Sequence, residues 1–286
     1  MIISEDFYSI QGESVTVGVP AYFVRLANCN LYCGASRKEM NSIIKEELKV
    51  DPNQQWHGSL HKEGLATWTC DSIPVWFKGI ERDNQYLIDR WKEQGIYEDI
   101  RSGLIHIIWT GGEPTMPKSQ EAIINFYNYW LSYQLENKEI GYFYAEMENG
   151  KITKNQSIAE IETNGTFVIK EKLFNILDQI NCSVKLSNSG MDQKQRIKPE
   201  AIKRIMEHYN YWFKFVISKE EDWDEILRDF VEPFNIPLHR VICMPALDNR
   251  DNFHERTNFV CEMAKKHKFI AGTRLHISSW GSVTGV

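Results

Sequence analysis

The sequence lacks any apolar run of the roughly 18 residues that a membrane-spanning helix requires. The opening residues, MIISEDFYSIQGES, have no basic stretch followed by an apolar one, so we expect no signal peptide and a cytoplasmic location. Basic residues are not in excess, since 33 Lys and Arg stand against 39 Asp and Glu, for a net charge of −6. Phosphate binding needs a basic surface, so we expect neither direct nucleic-acid binding nor a membrane partner.

Internal repeats and low-complexity linkers are also absent, so the 286 residues are predicted to form a single domain, residues 1–286. Six cysteines in a cytosolic chain do not suggest a disulfide framework. Three of them, Cys182, Cys243 and Cys261, lie in apolar surroundings and are expected to be buried as small hydrophobic residues.

Apolar runs alternate with helix-like stretches, which favours an α/β fold built from parallel β/α units. The predicted strands are Ala21–Leu26, Leu104–Trp109, Ile158–Glu162, Ser183–Leu186, Tyr211–Ile217, Arg240–Met244 and, more weakly, Arg274–Ile277. The predicted helices are Tyr86–Ile100, Lys118–Leu135, Lys170–Gln179, Pro199–His208, Glu221–Phe230 and Asn252–His267. Two segments interrupt the alternation and are interpreted as insertions: a polar one at about 34–69, and one at about 137–156 with a hairpin around ENGK.

Two patterns point to chemistry. Cys29 and Cys33 are separated by three residues, whereas Cys70 follows only after the first insertion. The loop TGGEP, residues 110–114, comes directly after an apolar strand, where two glycines allow a sharp turn and a close approach to a ligand. In a parallel α/β domain such a loop lies at the carboxyl end of the sheet, which is where ligands bind.

A zinc-stabilised binding module is one alternative. His57 and His61 have the H-x3-H spacing and follow the two cysteines, which superficially resembles a Cys2His2 zinc site. The gap between the two pairs is longer than usual and the segment lacks a ββα pattern. A solvated helix or loop that carries both histidines therefore remains the stronger interpretation.

Taken together, the Cys-x3-Cys pair, the third cysteine and the Gly-Gly-Glu-Pro loop resemble the radical S-adenosylmethionine enzymes. Within that superfamily the chain is similar to the 7-carboxy-7-deazaguanine synthases, whose motifs occur in order from one end to the other. These are FYSIQGES, GVPAYFVRLANCNLYCG, CDS, TGGEP, IETNG, SVKLSNSGM, KFV, MPA and LHISSWGSVTGV. The chain departs from the family in the spacing of its cysteines, since the usual pattern keeps all three close together. Loop closure costs grow only logarithmically with length, so an insertion there is compatible with the motif.

The resemblance implies an incomplete (β/α)6-type barrel with two insertions. It also implies a ring contraction of 6-carboxy-5,6,7,8-tetrahydropterin to 7-carboxy-7-deazaguanine, with loss of ammonia. An adenosyl radical would begin this reaction by abstracting a hydrogen atom. The implied cofactors are a [4Fe–4S] cluster, S-adenosylmethionine and Mg2+. The implied partners are the pterin, an electron donor such as flavodoxin or ferredoxin, and a second copy in a homodimer.

The resemblance also assigns residues. It gives the cluster to Cys29, Cys33 and Cys70, and Mg2+ to Ser72, whose hydroxyl is a hard oxygen donor. The residues implied for S-adenosylmethionine are Thr69, Asp71, Gly112, Glu113, Thr163, Asn164, Ser183 and Lys185. The residues implied for the substrate are Ile10, Gln11, Gly12, Arg25, Thr110, His276 and Val286. No further catalytic residue is implied. Either Trp68 or Thr69 could meet the adenine, because the insertion shifts this part of the motif.

Arg25 suits its implied task, because a guanidinium can hold a carboxylate through two parallel hydrogen bonds. A second alternative stays open: an activating enzyme that generates a glycyl radical on a partner protein. Such an enzyme would share the cluster and the Gly-Gly-Glu-Pro loop. It would not need SIQGE, Arg25 or the C-terminal tail.

Overall fold

The computed structural model describes residues 1–35, 66–70, 72–76, 78–139, 146–148, 151–154, 156–246 and 252–281. Most of the first insertion, including His57 and His61, lies outside these residues, and so do Asp71 and Val286. Within the described residues, no helix is both long and apolar enough to cross a membrane.

The strands of the described chain fall into one large sheet and one hairpin. They are β1 (Ile2–Ile10), β2 (Pro20–Leu26), β3 (Ile80–Glu81), β4 (His106–Gly111), β5 (Glu146–Glu148), β6 (Lys151–Lys154), β7 (Ala159–Thr163), β8 (Gln179–Cys182), β9 (Tyr211–Ile217), β10 (Val241–Pro245) and β11 (Ile270–Ala271). The sheet has the order β11-β10-β9-β8-β7-β4-β2-β1-β3. From β11 across to β2, neighbouring strands of this sheet pair in parallel, while β1 pairs antiparallel with both β2 and β3. The predicted α/β class with a mostly parallel sheet is confirmed.

Helices connect the parallel strands. They are α1 (Ile73–Trp76), α2 (Gln85–Glu93), α3 (Tyr97–Arg101), α4 (Pro117–Glu136), α5 (Glu171–Phe174), α6 (Gln193–Arg196), α7 (Pro199–Met206), α8 (Glu221–Ile226), α9 (Glu232–Phe234), α10 (Phe253–His267) and α11 (Leu275–Trp280). Proline occupies the first turn of α4 and of α7, where its missing N–H has no helical acceptor to lose.

Several predicted elements are confirmed and several are wrong. The strand expected at Ser183–Leu186 is β8, four residues earlier, and the strand expected at Arg274–Ile277 is the start of helix α11. The single helix expected over Tyr86–Ile100 is two helices, because Gly95 takes a left-handed conformation (φ 71°) that ends α2. The helix expected at Lys170–Gln179 is only α5, since the chain enters β8 at Gln179. Strand β1 was not predicted.

The second predicted insertion contains the expected hairpin, because β5 and β6 pair antiparallel on either side of Asn149–Gly150. Cys182 and Cys243 are buried as expected. The expectation for Cys261 is wrong, because this residue faces solvent on helix α10.

The two faces of the sheet differ in chemistry. On one face, Trp109 of β4 packs edge-on against Phe126 of α4, with ring centres 5.6 Å apart, in an apolar core shared with Trp91 and Trp130. On the other face, alternate residues of the same strands are polar, because successive side chains point to opposite sides of a strand. These inner residues include His106, Thr110, Glu160, Glu162, Gln179, Asn181 and Lys214. The candidate site lies on the polar face, at the carboxyl ends of the parallel strands.

Candidate active site

The loops after four parallel strands meet at one edge of the sheet. After β4, the Gly112 N–H donates to the Leu26 carbonyl (2.8 Å) and the Glu113 N–H to the Asn28 carbonyl (2.8 Å), so this loop lies directly on the loop after β2. Gly112 must be glycine, because a Cβ there would overlap the Asn28 carbonyl. After β8, the Ser183 N–H donates to the Thr163 carbonyl (2.7 Å) at the end of β7.

The three predicted cluster ligands occupy this edge. The Cys70 N–H donates to the Cys33 carbonyl (3.1 Å), so Cys70 returns beside Cys33 despite the insertion. Cys33 is buried, while Cys29 and Cys70 are partly exposed and pack against the same apolar residues, among them Leu31 and Trp68. Burial raises the pKa of Cys29, and electrostatic interactions with Glu113, Cys33 and Cys70 raise it further.

The thiols fit a positively charged iron–sulfur cluster. Burial raises the pKa of Cys33 to about 12, although Lys185 lowers it, so this thiol keeps its proton unless a metal replaces it. Two N–H groups point at the Cys29 sulfur: the Leu31 amide at 3.4 Å and the Asn164 side-chain amide at 3.9 Å. Such N–H groups stabilise a metal-bound thiolate and tune a cluster.

In the part of the chain that the structure describes, no three Cys, His, Asp or Glu side chains are grouped so as to hold a metal ion. A [4Fe–4S] cluster takes one thiolate for each iron, so its ligands do not converge on a single ion. The ligand roles of the three cysteines stay predictions.

Glu113 is the centre of a hydrogen-bond web that joins the loops after β4 and β7. Its fully buried carboxylate accepts from the Thr115 N–H (2.9 Å), the Thr115 hydroxyl, the Thr163 hydroxyl (2.7 Å) and the Asn164 N–H (2.7 Å). Burial raises the pKa of Glu113, and these donors oppose that rise. The Asn164 side chain continues the web by donating to the Asn30 side-chain oxygen (2.9 Å). The Glu113 carboxylate thus makes its hydrogen bonds to other groups of the protein.

Next to the cysteines lies a second group of residues, built around Glu162 of β7. Its carboxylate accepts from the Gln11 amide (3.3 Å), the Thr110 hydroxyl (3.3 Å) and the Lys214 ammonium (3.2 Å). Gln11 and Thr110, both predicted for the substrate, are thereby brought to one carboxylate. Lys214 is almost fully buried, and although burial lowers its pKa, Glu162 and Glu13 raise it above the usual value.

Glu13 faces the side chains of Lys214, Arg274 and His276. Lys214 lies 3.4 Å away, Arg274 3.3 Å and His276 4.0 Å from its carboxylate oxygens. Burial alone would raise the pKa of Glu13, but Arg274, Lys214 and His276 together lower it from 4.5 to about 2. The carboxylate is therefore ionised throughout the neutral range.

The C-terminal segment docks on the SIQGE loop. The Leu275 N–H donates to the Gly12 carbonyl (2.9 Å), and a Cβ at Gly12 would overlap the imidazole of His276. Gly12 and His276, two predicted substrate residues, are therefore in contact. Ile10 ends β1 two residues before, paired with Pro20.

Arg25 and Ser72 are also brought together, since an Arg25 N–H donates to the Ser72 hydroxyl (2.7 Å). The guanidinium also lies 2.9 Å from Glu5 and 5.6 Å from the centre of the Phe7 ring. Arg25 sits opposite Thr110 in the β2–β4 register, which places it beside the Glu162 group.

The remaining predicted residues lie on the cysteine side. The Lys185 ammonium donates to the Ser183 carbonyl (2.7 Å) and hydroxyl (2.9 Å) and stands 5.8 Å from the centre of the Trp68 ring. Trp68 is only 6% exposed, because its ring packs among Cys33, Met191 and other apolar residues. Thr69 is partly exposed, so of these two residues it is the one whose side chain is more accessible to a ligand.

Glu13, Glu162, Lys214 and Arg274 were missed by the sequence analysis. Three of them carried a signal: Glu13 and Glu162 adjoin predicted residues within the quoted motifs, and Lys214 is a lone cation in the apolar strand YWFKFVI. A charge in such a strand is buried only with a partner of opposite charge.

A mostly parallel α/β sheet that brings three cysteines and a Gly-Gly-Glu-Pro loop to one edge has the arrangement expected of a radical S-adenosylmethionine enzyme. No family model matches the chain. A 7-carboxy-7-deazaguanine synthase of Pyrobaculum aerophilum is 25% identical, over 99% of this chain and 96% of the relative. One of Halobacterium salinarum is 22% identical, over 97% of this chain and 90% of the relative.

Among solved structures, QueE from Escherichia coli superposes with a TM-score of 0.53 at 18% identity. The match covers 96% of this chain and 94% of that one, and it supports the fold. The resemblance to the 7-carboxy-7-deazaguanine synthases that the sequence predicted is confirmed over nearly the whole chain.

Proposed function

We propose that the chain is a radical enzyme that converts 6-carboxy-5,6,7,8-tetrahydropterin into 7-carboxy-7-deazaguanine, with release of ammonia. One observation carries the proposal: Cys70 lies beside Cys33, next to the Glu113 web, although an insertion separates the two cysteines in sequence. Relatives that share this chain's full length bear the name of that synthase. The proposal includes a sheet curved as an incomplete barrel, a cytoplasmic location, a homodimer, and a flavodoxin- or ferredoxin-type electron donor.

Cys29, Cys33 and Cys70 would hold the [4Fe–4S] cluster, with N–H groups of Leu31 and Asn164 directed at the Cys29 sulfur. The cluster and S-adenosylmethionine, when bound, supply the radical that abstracts hydrogen from the substrate. Because the Glu113 carboxylate is fully engaged within the protein, its part would be to fix the loop, whose backbone then faces the cofactor. The other residues proposed for S-adenosylmethionine are Thr69, Asp71, Gly112, Thr163, Asn164, Ser183 and Lys185.

The Glu162 group would bind the pterin. A pterin edge presents donors and acceptors in a fixed plane, and Gln11, Thr110 and Glu162 supply both kinds of group at one place. Gly12 leaves room for His276, so both can line the same pocket, with Ile10 and Val286 proposed at its margin.

Arg25 would bind the substrate carboxylate, and Ser72 would contribute one oxygen to Mg2+. The two side chains are in contact, so a carboxylate placed between them would be shared by the guanidinium and the metal ion. The negative charge of that carboxylate would also reduce the repulsion between the two cations.

The test is anaerobic reconstitution with iron and sulfide. The protein is then incubated with the carboxytetrahydropterin, S-adenosylmethionine, Mg2+ and dithionite. We expect both 7-carboxy-7-deazaguanine and 5′-deoxyadenosine, measured by chromatography and mass spectrometry, and neither product from Cys33→Ala. Absence of both products from the iron-loaded wild type would contradict the proposal. One zinc per chain would favour the binding module, and 5′-deoxyadenosine formed only with a partner protein would favour the activating enzyme.

A further inference from the structure

The two ends of the first insertion are attached to the same short turn. Residues Ser187–Ser189 form this 3-10 turn after β8. The Gly34 N–H, at the start of the insertion, donates to the Ser189 carbonyl (2.9 Å). The Thr67 N–H, at its end, donates to the neighbouring Asn188 carbonyl (2.9 Å). Consecutive carbonyls of one turn thus bind the outgoing and the returning chain.

The outgoing and returning chains also touch each other. Gly34 has a φ of 81°, and a Cβ at this position would overlap the backbone of Trp68 and Thr69. At the next residue of the returning chain, the Cys70 N–H donates to the Cys33 carbonyl (3.1 Å). The two ends of the insertion are therefore held together, and this contact places Cys33 and Cys70 side by side.

Asn188 fixes the returning chain through its side chain. Its oxygen accepts the indole N–H of Trp68 (2.9 Å), and its amide donates to the Val216 carbonyl (2.9 Å) and to Asp222 (3.0 Å). The residue is only 5% exposed. These contacts connect Trp68, two residues before Cys70, to strand β9 and helix α8.

If only two residues separated the second and third cysteines, the short connection alone would keep the two cysteines close together. A spacer of 36 residues does not, because the distance between the ends of a connection is less restricted the longer the connection is. We infer that Asn188 is a positioning residue that sets Cys70 opposite Cys33 by holding Trp68, in place of a short spacer. The role of the three cysteines rests on the proposed function, but the positioning itself is a property of the metal-free chain.

The test measures how readily Cys33 and Cys70 are bridged in the metal-free, full-length protein. The bridging reagent is dibromobimane, used under anaerobic conditions in a Cys29→Ala background, and the bridged peptides are identified by mass spectrometry. We expect Asn188→Ala to slow bridging roughly fivefold, because the buried hydrogen bond that holds Trp68 is lost. Iron bound after reconstitution of the same variant with Cys29 intact should fall in parallel.

The matched control is Ser187→Ala, on the same turn, which loses a hydrogen bond to Glu225 (2.5 Å) but none to the insertion. It should lower the thermal midpoint of unfolding without slowing the bridging reaction. Trp68→Phe removes only the indole N–H and should slow bridging as Asn188→Ala does. The double variant should be no slower than either single variant, because both remove the same contact.

Bridging in Asn188→Ala at the rate of the Ser187→Ala control would overturn the inference. If Asn188→Ala does not fold, bridging at the wild-type rate in Trp68→Phe overturns it instead. The bridging reaction needs no cluster and no substrate. A protein that shows the expected bridging pattern but forms no deazaguanine would therefore refute the proposed function and leave the positioning role intact.

Discussion

The cysteine side and the Glu162 side of the candidate site are neighbours, but they stabilise their functional groups in opposite ways. Around Cys29, Cys33 and Cys70 the contacts are apolar side chains and N–H groups, and burial raises the pKa of Cys29 and Cys33. Around Glu162 and Glu13 the charges are matched by cations of the protein, and the pKa of Glu13 falls to about 2. At neutral pH the Cys29 and Cys33 thiols keep their protons until a positively charged ligand binds. The Glu13 carboxylate, in contrast, is already ionised and paired with cationic side chains.

This difference means that the two sides should respond to different perturbations. Removing a ligand of the cysteine side should abolish cofactor binding with little effect on folding. Removing a charge from the Glu162 side should destabilise the fold itself, because it leaves a buried partner without compensation.

The largest effect is expected from Cys70→Ala. The cluster would lose one of its three thiolates, so bound iron should fall to background and product formation should be undetectable. Unfolding in urea should change little, since Cys70 is partly exposed. Cys261→Ala, which alters an exposed cysteine on helix α10, is the control and should keep wild-type iron. Full iron and turnover in Cys70→Ala would exclude this residue as a ligand.

A large effect of another kind is expected from Lys214→Met. This change leaves Glu13 and Glu162 without their shared buried cation, so the free energy of unfolding should fall by about 3 kcal/mol. Urea denaturation is the measurement. Lys265→Met, which breaks an exposed ion pair with Glu262, should cost less than about 0.5 kcal/mol. Equal losses in the two variants would show that the ion pairs of Lys214 with Glu13 and Glu162 stabilise the fold no more than an exposed ion pair does.

A smaller and graded effect is expected from acid. The pKa of Glu13 in the folded protein, about 2, lies below its ordinary value of 4.5. Its contribution to stability is therefore present above pH 4.5 and is lost as the pH falls through about 2. The free energy of unfolding, followed across that window, should fall less steeply in Glu13→Gln than in the wild type. Identical slopes in the two proteins would contradict the assignment.

The smallest effect on the cysteine side is expected from shortening the insertion. Residues 37–64 would be replaced by six Gly and Ser residues, which span about 13 Å as a flexible chain. The contacts of Gly34, Thr67, Trp68 and Cys70 would remain, so iron content after reconstitution should stay close to that of the wild type. Loss of iron from the shortened chain would show that residues 37–64 themselves contribute to cluster binding.

Much of this arrangement follows from the sequence, because parallel strands impose where loops meet. Apolar runs located β2, β4, β7, β9 and β10 to within a few residues, and the TGGEP loop lies at the carboxyl edge as expected. The strand after α5 was placed four residues late. The run SVKL is as apolar as QINC, and only pairing with β7 and β9 decides which segment joins the sheet.

The charged residues of the Glu162 side could not be placed in this way. Glu13, Glu162, Lys214 and Arg274 come from distant parts of the chain, and no local pattern indicates that they meet. Strand β1 was missed for a related reason: its sequence IISEDFYSI does not alternate apolar and polar residues, and the strand is defined by its pairing with β2 and β3.

The hydrogen bond between the Leu275 N–H and the Gly12 carbonyl has a consequence for biosynthesis. Every residue named on the cysteine side, up to Asp222, leaves the ribosome before Arg274 and His276 are made. The contact between the C-terminal segment and the SIQGE loop is therefore among the last to form as the chain is synthesised. Under the proposed function, the residues that would bind the pterin would thus be brought together later in synthesis than the cysteines that would hold the cluster.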